Sequence, residues 1–233
     1  MKVQKYCFIG ICVFFFIKCS QKETNSNPCA NEISLFSTSD TLKNITIDYQ
    51  LKGKNFANSI DEKLEKLVCG ALTNFGLILE NQEVIKVQYR KKCQDGIGMI
   101  SCYKEQFSIK ALLNEKGSVL FAYESIPIDS IKYWIRDNFW DDGTYYYDKT
   151  SVQWETETPK DSIEKVLSTI KDGYLLIYEK LSQKLFAKKV CELQPAEMQQ
   201  LKEQLSFTIQ LNMEYKIPPP PPPPPIPAAS VYK

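Results

Sequence analysis

Apolar residues in this chain switch repeatedly between two spacings, every second residue and every third or fourth. Each segment with the first spacing can bury one face of a strand, and each with the second one side of a helix. Ile45, Ile47, Tyr49 and Leu51 alternate with polar residues, and so do Ile85, Val87 and Tyr89 in residues 84–89. Phe107, Ile109, Ala111 and Leu113 alternate again before the turn signal Asn114-Glu115-Lys116-Gly117, and Val119, Phe121 and Tyr123 return from it. Residues 103–124 are therefore expected to form a β-hairpin. Val152, Trp154 and Thr156 continue a strand that stops at Pro159, and Phe207, Ile209, Leu211, Met213 and Tyr215 make a last one.

Helical spacing fills the gaps. Asn58-Ser59-Ile60 is expected to open a helix carrying Ile60, Leu64, Leu67, Val68, Ala71, Leu72 and Phe75. A short helix follows Pro127, with Ile131, Trp134 and Ile135 inward. The longest runs from Asp161 to about Val190, and another spans residues 195–204. Asn58, Asp129 and Asp161 read as caps, and Asp161 with Glu164 has the spacing of a capping box. The expected fold is α+β: about six strands in one mixed or antiparallel-rich sheet, or in two small ones, with three main helices packed on one side.

The start of the chain has a different character. Lys2 and Lys5 precede an apolar run over residues 6–17, which Lys18-Cys19-Ser20 closes. This is the pattern of an export signal. As a helix the run would reach about 18 Å, against about 30 Å of hydrocarbon in a bilayer. Residues 19–38 are rich in Ser, Asn, Thr, Gln and Lys and read as a tether. The expected organisation is signal 1–18, tether 19–38, a strand–helix–strand unit 39–102, a second α+β unit 103–216, and a tail 217–233.

Composition narrows the function. Hydrophobic content of 43% and charged content of 24% belong to a folded chain rather than a disordered one. Three lysines leave with residues 1–18, taking the net charge from +1 to −2. The only arginines are Arg90 and Arg136, so nucleic acid is a poor partner. Histidine is absent, which removes the commonest general base and the commonest metal ligand. No catalytic residue, metal site or cofactor is expected.

Five cysteines follow Cys19: Cys29, Cys69, Cys93, Cys102 and Cys191. In an exported chain they read first as disulfide partners. Cys93 and Cys102 bracket a loop with two glycines and form the favoured pair. Cys69 reads as a small buried residue.

Other side chains offer binding rather than catalysis. Trp140, Asp141, Asp142, Tyr145, Tyr146 and Tyr147 cluster aromatic rings beside carboxylates around Gly143, a composition that stacks on sugars, seats a partner or packs beneath its own loop. Glu155 and Glu157 are expected on one face of a strand, as a solvated pair or a proton-sharing one. Asp137, Asp141 and Asp142 read as a helix-ending acidic turn, with a calcium loop as the alternative. Pro218 to Pro225 are consecutive prolines, a stiff rod of about 30 Å if extended through Pro227. That tail either presents residues such as Tyr232 to a partner or is an unstructured end.

Two resemblances follow from these residues. Phe16-Ile17-Lys18-Cys19 resembles the lipobox of bacterial lipoproteins, with Lys18 where that pattern has a small residue. It implies that Cys19 becomes the acylated first residue, with an uncleaved anchor or plain secretion as alternatives. Ser20-Gln21-Lys22-Glu23 is similar to the polar tether of Bacteroidetes lipoproteins. Over residues 103–215, the order hairpin, short helix after Ile126-Pro127-Ile128, strand Ser151-Val152-Gln153-Trp154 and long helix resembles the periplasmic domain of ExbD/TolR biopolymer transporters. That family's spanning, acid-bearing helix has no counterpart here. The resemblances imply a non-enzymatic lipoprotein anchored by lipid to the outer membrane. It would serve as an accessory or binding subunit of an envelope complex for energy coupling or integrity. The alternative is a surface lipoprotein that binds a glycan or protein through the aromatic–acidic loop.

Overall fold

The computed structural model describes residues 28–36, 42–51, 53–65, 71–90, 108–141, 144–145 and 149–212. The fold is α+β. Eight strands form one mixed sheet: β1 (Asn44–Ile45), β2 (Leu72–Ile78), β3 (Val84–Arg90), β4 (Ser108–Leu113), β5 (Val119–Phe121), β6 (Glu124–Ser125), β9 (Lys149–Trp154) and β10 (Ile209–Asn212). Between β6 and β9 in the chain, β7 (Trp140–Asp141) and β8 (Thr144–Tyr145) pair as a separate ribbon. The large sheet has the order β1-β2-β3-β10-β9-β4-β5-β6. Its four central strands, β3, β10, β9 and β4, are parallel. The hairpin strands β2 and β5 flank them antiparallel.

Register converts the sequence alternation into two distinct faces. Val87 pairs with Ile209 and Tyr89 with Leu211, while Leu211 pairs with Val152 and Val152 with Ala111. These residues share one face with Phe75, Leu77, Ile85, Leu113, Phe121 and Trp154, and all are buried. The helical layer lies on this face. Helix α2 (Gly53–Leu64) buries Phe56 and Ile60, one turn apart, and the Phe56 ring stands edge-on to Tyr89 and Trp154 at 5.8 and 5.7 Å. Helix α3 (Ile131–Asn138) buries Ile131 and Ile135. Helix α4 (Lys160–Phe186) buries Ile163, Val166, Leu167, Ile170, Tyr174, Ile177 and Tyr178 at helical spacing. Each such side chain contributes about 1.5–3 kcal/mol, whereas solvent screens exposed ion pairs such as Lys43–Glu65. The apolar layer decides the stability.

Three buried polar bonds fix how loops meet that layer. Trp154 Nε1 donates to the Tyr49 carbonyl at 3.1 Å, Tyr178 Oη to the Leu205 carbonyl at 2.7 Å, and Ser182 Oγ to the Lys188 carbonyl at 2.7 Å.

Several elements differ from the sequence expectation. The helix expected from Asn58 through Phe75 is two elements: α2 begins at Gly53 and ends at Leu64, and Leu72–Ile78 is strand β2. Phe75, Leu77 and Leu79 obey a strand period, and seven cross-strand pairs with β3 settle which period wins. The residues read as tether contain α1 (Ala30–Phe36), whose Leu35 and Phe36 are buried. Asn58 lies inside α2 rather than capping it. Asp161 makes no capping box: Pro159 precedes the first turn without a side-chain cap, and Glu164 accepts the Glu80 N–H at 3.0 Å. Helix α4 stops at Phe186, because Ala187 takes a left-handed φ of 54° and returns its N–H to the Gln183 carbonyl. Val190–Glu192 is then a separate 3₁₀ turn, and α5 (Pro195–Gln204) starts where the Gln194 N–H meets Glu197 at 2.8 Å. The units read as 39–102 and 103–216 share the one sheet, since β10 lies between β3 and β9.

Candidate functional site

The first candidate is the attachment of the N-terminal helix. Cys29, just before α1, is disulfide-bonded to Cys191 in the 3₁₀ turn, with Cα atoms 5.9 Å apart and a sequence separation of 162. Asn31 Nδ2 donates to two carbonyls of the same region, Val190 at 3.0 Å and Leu193 at 2.9 Å. The Glu32 carboxylate accepts the Cys29 N–H at 3.0 Å and caps the helix start. At the other end, the Phe36 ring stands edge-on to Phe207 at 4.9 Å and Tyr178 at 5.9 Å. Lys171 lies 5.8 Å from the Phe36 ring centre and is ion-paired with Glu83.

Magnitudes show why the bridge matters. Burying Leu35 and Phe36 yields roughly 3–6 kcal/mol, while ordering the backbone of a seven-residue helix opposes it by roughly 7–14 kcal/mol. A helix this short does not stand alone in water. Covalent attachment tips that balance toward docking.

The surroundings of the bridge are acidic. Burial raises the Glu179 carboxyl above the ordinary glutamate range; Glu32 and Glu192 add to the rise, and the Val190 N–H and Lys189 oppose it. Cys29, Glu32 and Cys191 hold their ligand-type atoms within 4.8 Å of one another. As a disulfide the two sulfurs offer no thiolate to a metal, so the trio acts as a staple.

The second candidate is the sheet face turned away from the helices. Parallel strands usually read as near-continuous apolar runs, because both faces are covered. Here Asn74, Gln88, Gln210, Ser151 and Lys110 line up in register across five strands. Lys86, Arg90 and Lys149 share that face, and no described strand residue on it is acidic. The Asn74 Oδ1 atom is buried without a hydrogen-bond partner among the described residues. The face therefore offers amide, hydroxyl and cationic groups suited to hydrogen bonding or charge recognition.

Few of the residues singled out by sequence come together. Cys19, Cys93, Cys102, Asp142, Tyr146, Tyr147, Pro218, Pro225 and Tyr232 lie outside the described residues. In the β7–β8 ribbon Trp140 is paired with Tyr145, and Asp141 with Thr144. The two carboxylates expected on one strand face are separated: β9 ends at Trp154, Glu155 accepts the Glu115 N–H at 2.9 Å, and Glu157 sits in the turn before α4. Asp137 is held by both Arg136 Nε and Nη2, at 2.7 and 2.8 Å, which lowers its carboxyl below the ordinary range. The pairing of Cys29 with Cys191 was not singled out from sequence; the signal available was Leu35-Phe36, an apolar pair within a polar stretch.

No protein-family description, curated protein or solved structure matches this chain.

Proposed function

We propose that this chain is a non-enzymatic lipoprotein of the cell envelope, held to the outer membrane through acylated Cys19 and serving as an accessory or binding subunit of an ExbD/TolR-like complex. The observation that carries the reading is the Cys29–Cys191 bond, ten residues beyond Cys19. Disulfides persist in oxidising compartments, so the bond supports export. The order β4–β5 hairpin, α3, β9, α4, β10, with helices on one sheet face, supports the choice of complex. Acyl labelling of the wild type against Cys19→Ala tests the anchor, and pull-down from solubilised membranes tests the partner. Label that survives Cys19→Ala rejects the anchor, and recovery of no envelope complex rejects the accessory role.

The β7–β8 ribbon favours a second reading, a surface lipoprotein that binds a glycan or protein. It pairs Trp140 with Tyr145 at opposing positions. Replacing both by Ala should abolish capture of surface glycans on an array; unchanged capture rejects this reading.

A further inference from the structure

The disulfide holds the start of α1, the one helix between Cys19 and the sheet among the described residues, to the 3₁₀ turn, and it is reachable. Cys191 is exposed and Cys29 is half-buried. Without the bond, α1 is held by two Asn31 hydrogen bonds and by Leu35 and Phe36. The nearest strand residue after α1 is Asn44, where β1 begins beside β2. Asn44 lies fifteen positions beyond Cys29 in the sequence.

We propose that Cys29–Cys191 is a redox latch: reduction frees Ala30–Phe36 and moves the first firm attachment of the chain from Cys29 to β1. A dithiol reductant attacks the exposed Cys191 sulfur, forms a mixed disulfide and expels the Cys29 sulfur as thiolate. Its second thiol then breaks the mixed disulfide. Two electrons and two protons pass to the cysteines, and the reductant leaves as its own disulfide. Release opens the slot between Tyr178 and Phe207 that Phe36 fills.

The consequence for reach rests on the lipid-anchor reading; the release of α1 does not. With the latch closed, the chain from Cys19 to Cys29 spans at most about 35 Å, and with it open the chain from Cys19 to Asn44 spans at most about 85 Å. The domain would thus stand near its membrane when oxidised and range far from it when reduced.

Hydrogen exchange read by mass spectrometry on the full-length chain, with and without dithiothreitol, tests the latch. Peptides covering residues 30–36 should exchange about tenfold or more faster after reduction, while those of β3 and β9 keep their rates. The Cys29→Ser and Cys191→Ser variants should reproduce the reduced pattern without reductant, which excludes an effect of the other cysteines. Protection that persists over 30–36 after reduction overturns the proposal. So does loss of protection across β3 and β9 at the same time, which would make the bond a brace for the whole fold. Acyl labelling on the same preparation separates the two readings: faster exchange without label leaves the latch standing and removes the anchor, whereas label without faster exchange does the reverse.

Discussion

Gly173 lies at a close approach of α3 to α4. A Cβ placed there would lie 2.8 Å from Ile135 Cβ and 3.0 Å from two further Ile135 carbons. From sequence this glycine only weakens a helix; packing across the crossing explains it. Gly173→Ala should destabilise the protein by about 1–3 kcal/mol, read as a lower urea midpoint at unchanged slope. Glu179 gives a prediction with a sign. Its folded carboxyl titrates above the ordinary glutamate range, so the folded state holds the proton more tightly than the unfolded chain does. That contribution is complete below the ordinary range and fades as pH climbs through the raised value. Glu179→Gln should flatten the decline and leave the variant more stable than wild type at neutral pH, as thermal melts between pH 4 and pH 7 would show on the titration scale of glutamate. Single residues were legible where burial follows a period, as at Ile85, Val87 and Tyr89. They were not legible where a partner far along the chain decides their role, as with Cys191 and Cys29.

Among elements, α1 depends most on others. Phe36→Ala should cost about 3–5 kcal/mol if α1 stays docked while the ring is removed, and a smaller measured loss would mean that α1 is already loosely held. Trp154→Phe keeps an aromatic ring against Phe56 and Tyr49 but leaves the Tyr49 carbonyl without its donor, and should cost about 1–3 kcal/mol. Chemical denaturation measures both. The hairpin β4–β5, helix α3 and strand β9 were readable because apolar residues recur in each at strand or helix spacing, although no side chain caps α3 where Asp129 is read as a cap. Helix α2 and strand β2 were not separable, because Leu64, Leu72 and Phe75 also fit a helical spacing. Only pairing with β3 distinguishes them, and that pairing is invisible in a local window. Helix α1 escaped because seven residues are too few to show a period.

At the scale of the molecule, the fold class and the one-sided helical layer followed from alternation, since strands that alternate need cover on one face only. Strand order did not follow. The sequence places a break near residue 102, yet β10 joins both halves by pairing with β3 on one side and β9 on the other. A chain cut to residues 103–233 should therefore expose the β10 edge that β3 covers, and should aggregate or melt without a cooperative transition. A sharp, reversible melt of that fragment would show that the second half folds alone.

The place of β10 also bears on the export proposed for this chain. Its partners β3 and β9 are synthesised long before it, so the centre of the sheet stays incomplete until nearly all the described residues have been made. Late closure of a long-range parallel pairing is slow. On the proposed export route, a polypeptide with this wiring would stay threadable through a translocation pore while still emerging from the ribosome, and would gain its rigid core only on the far side.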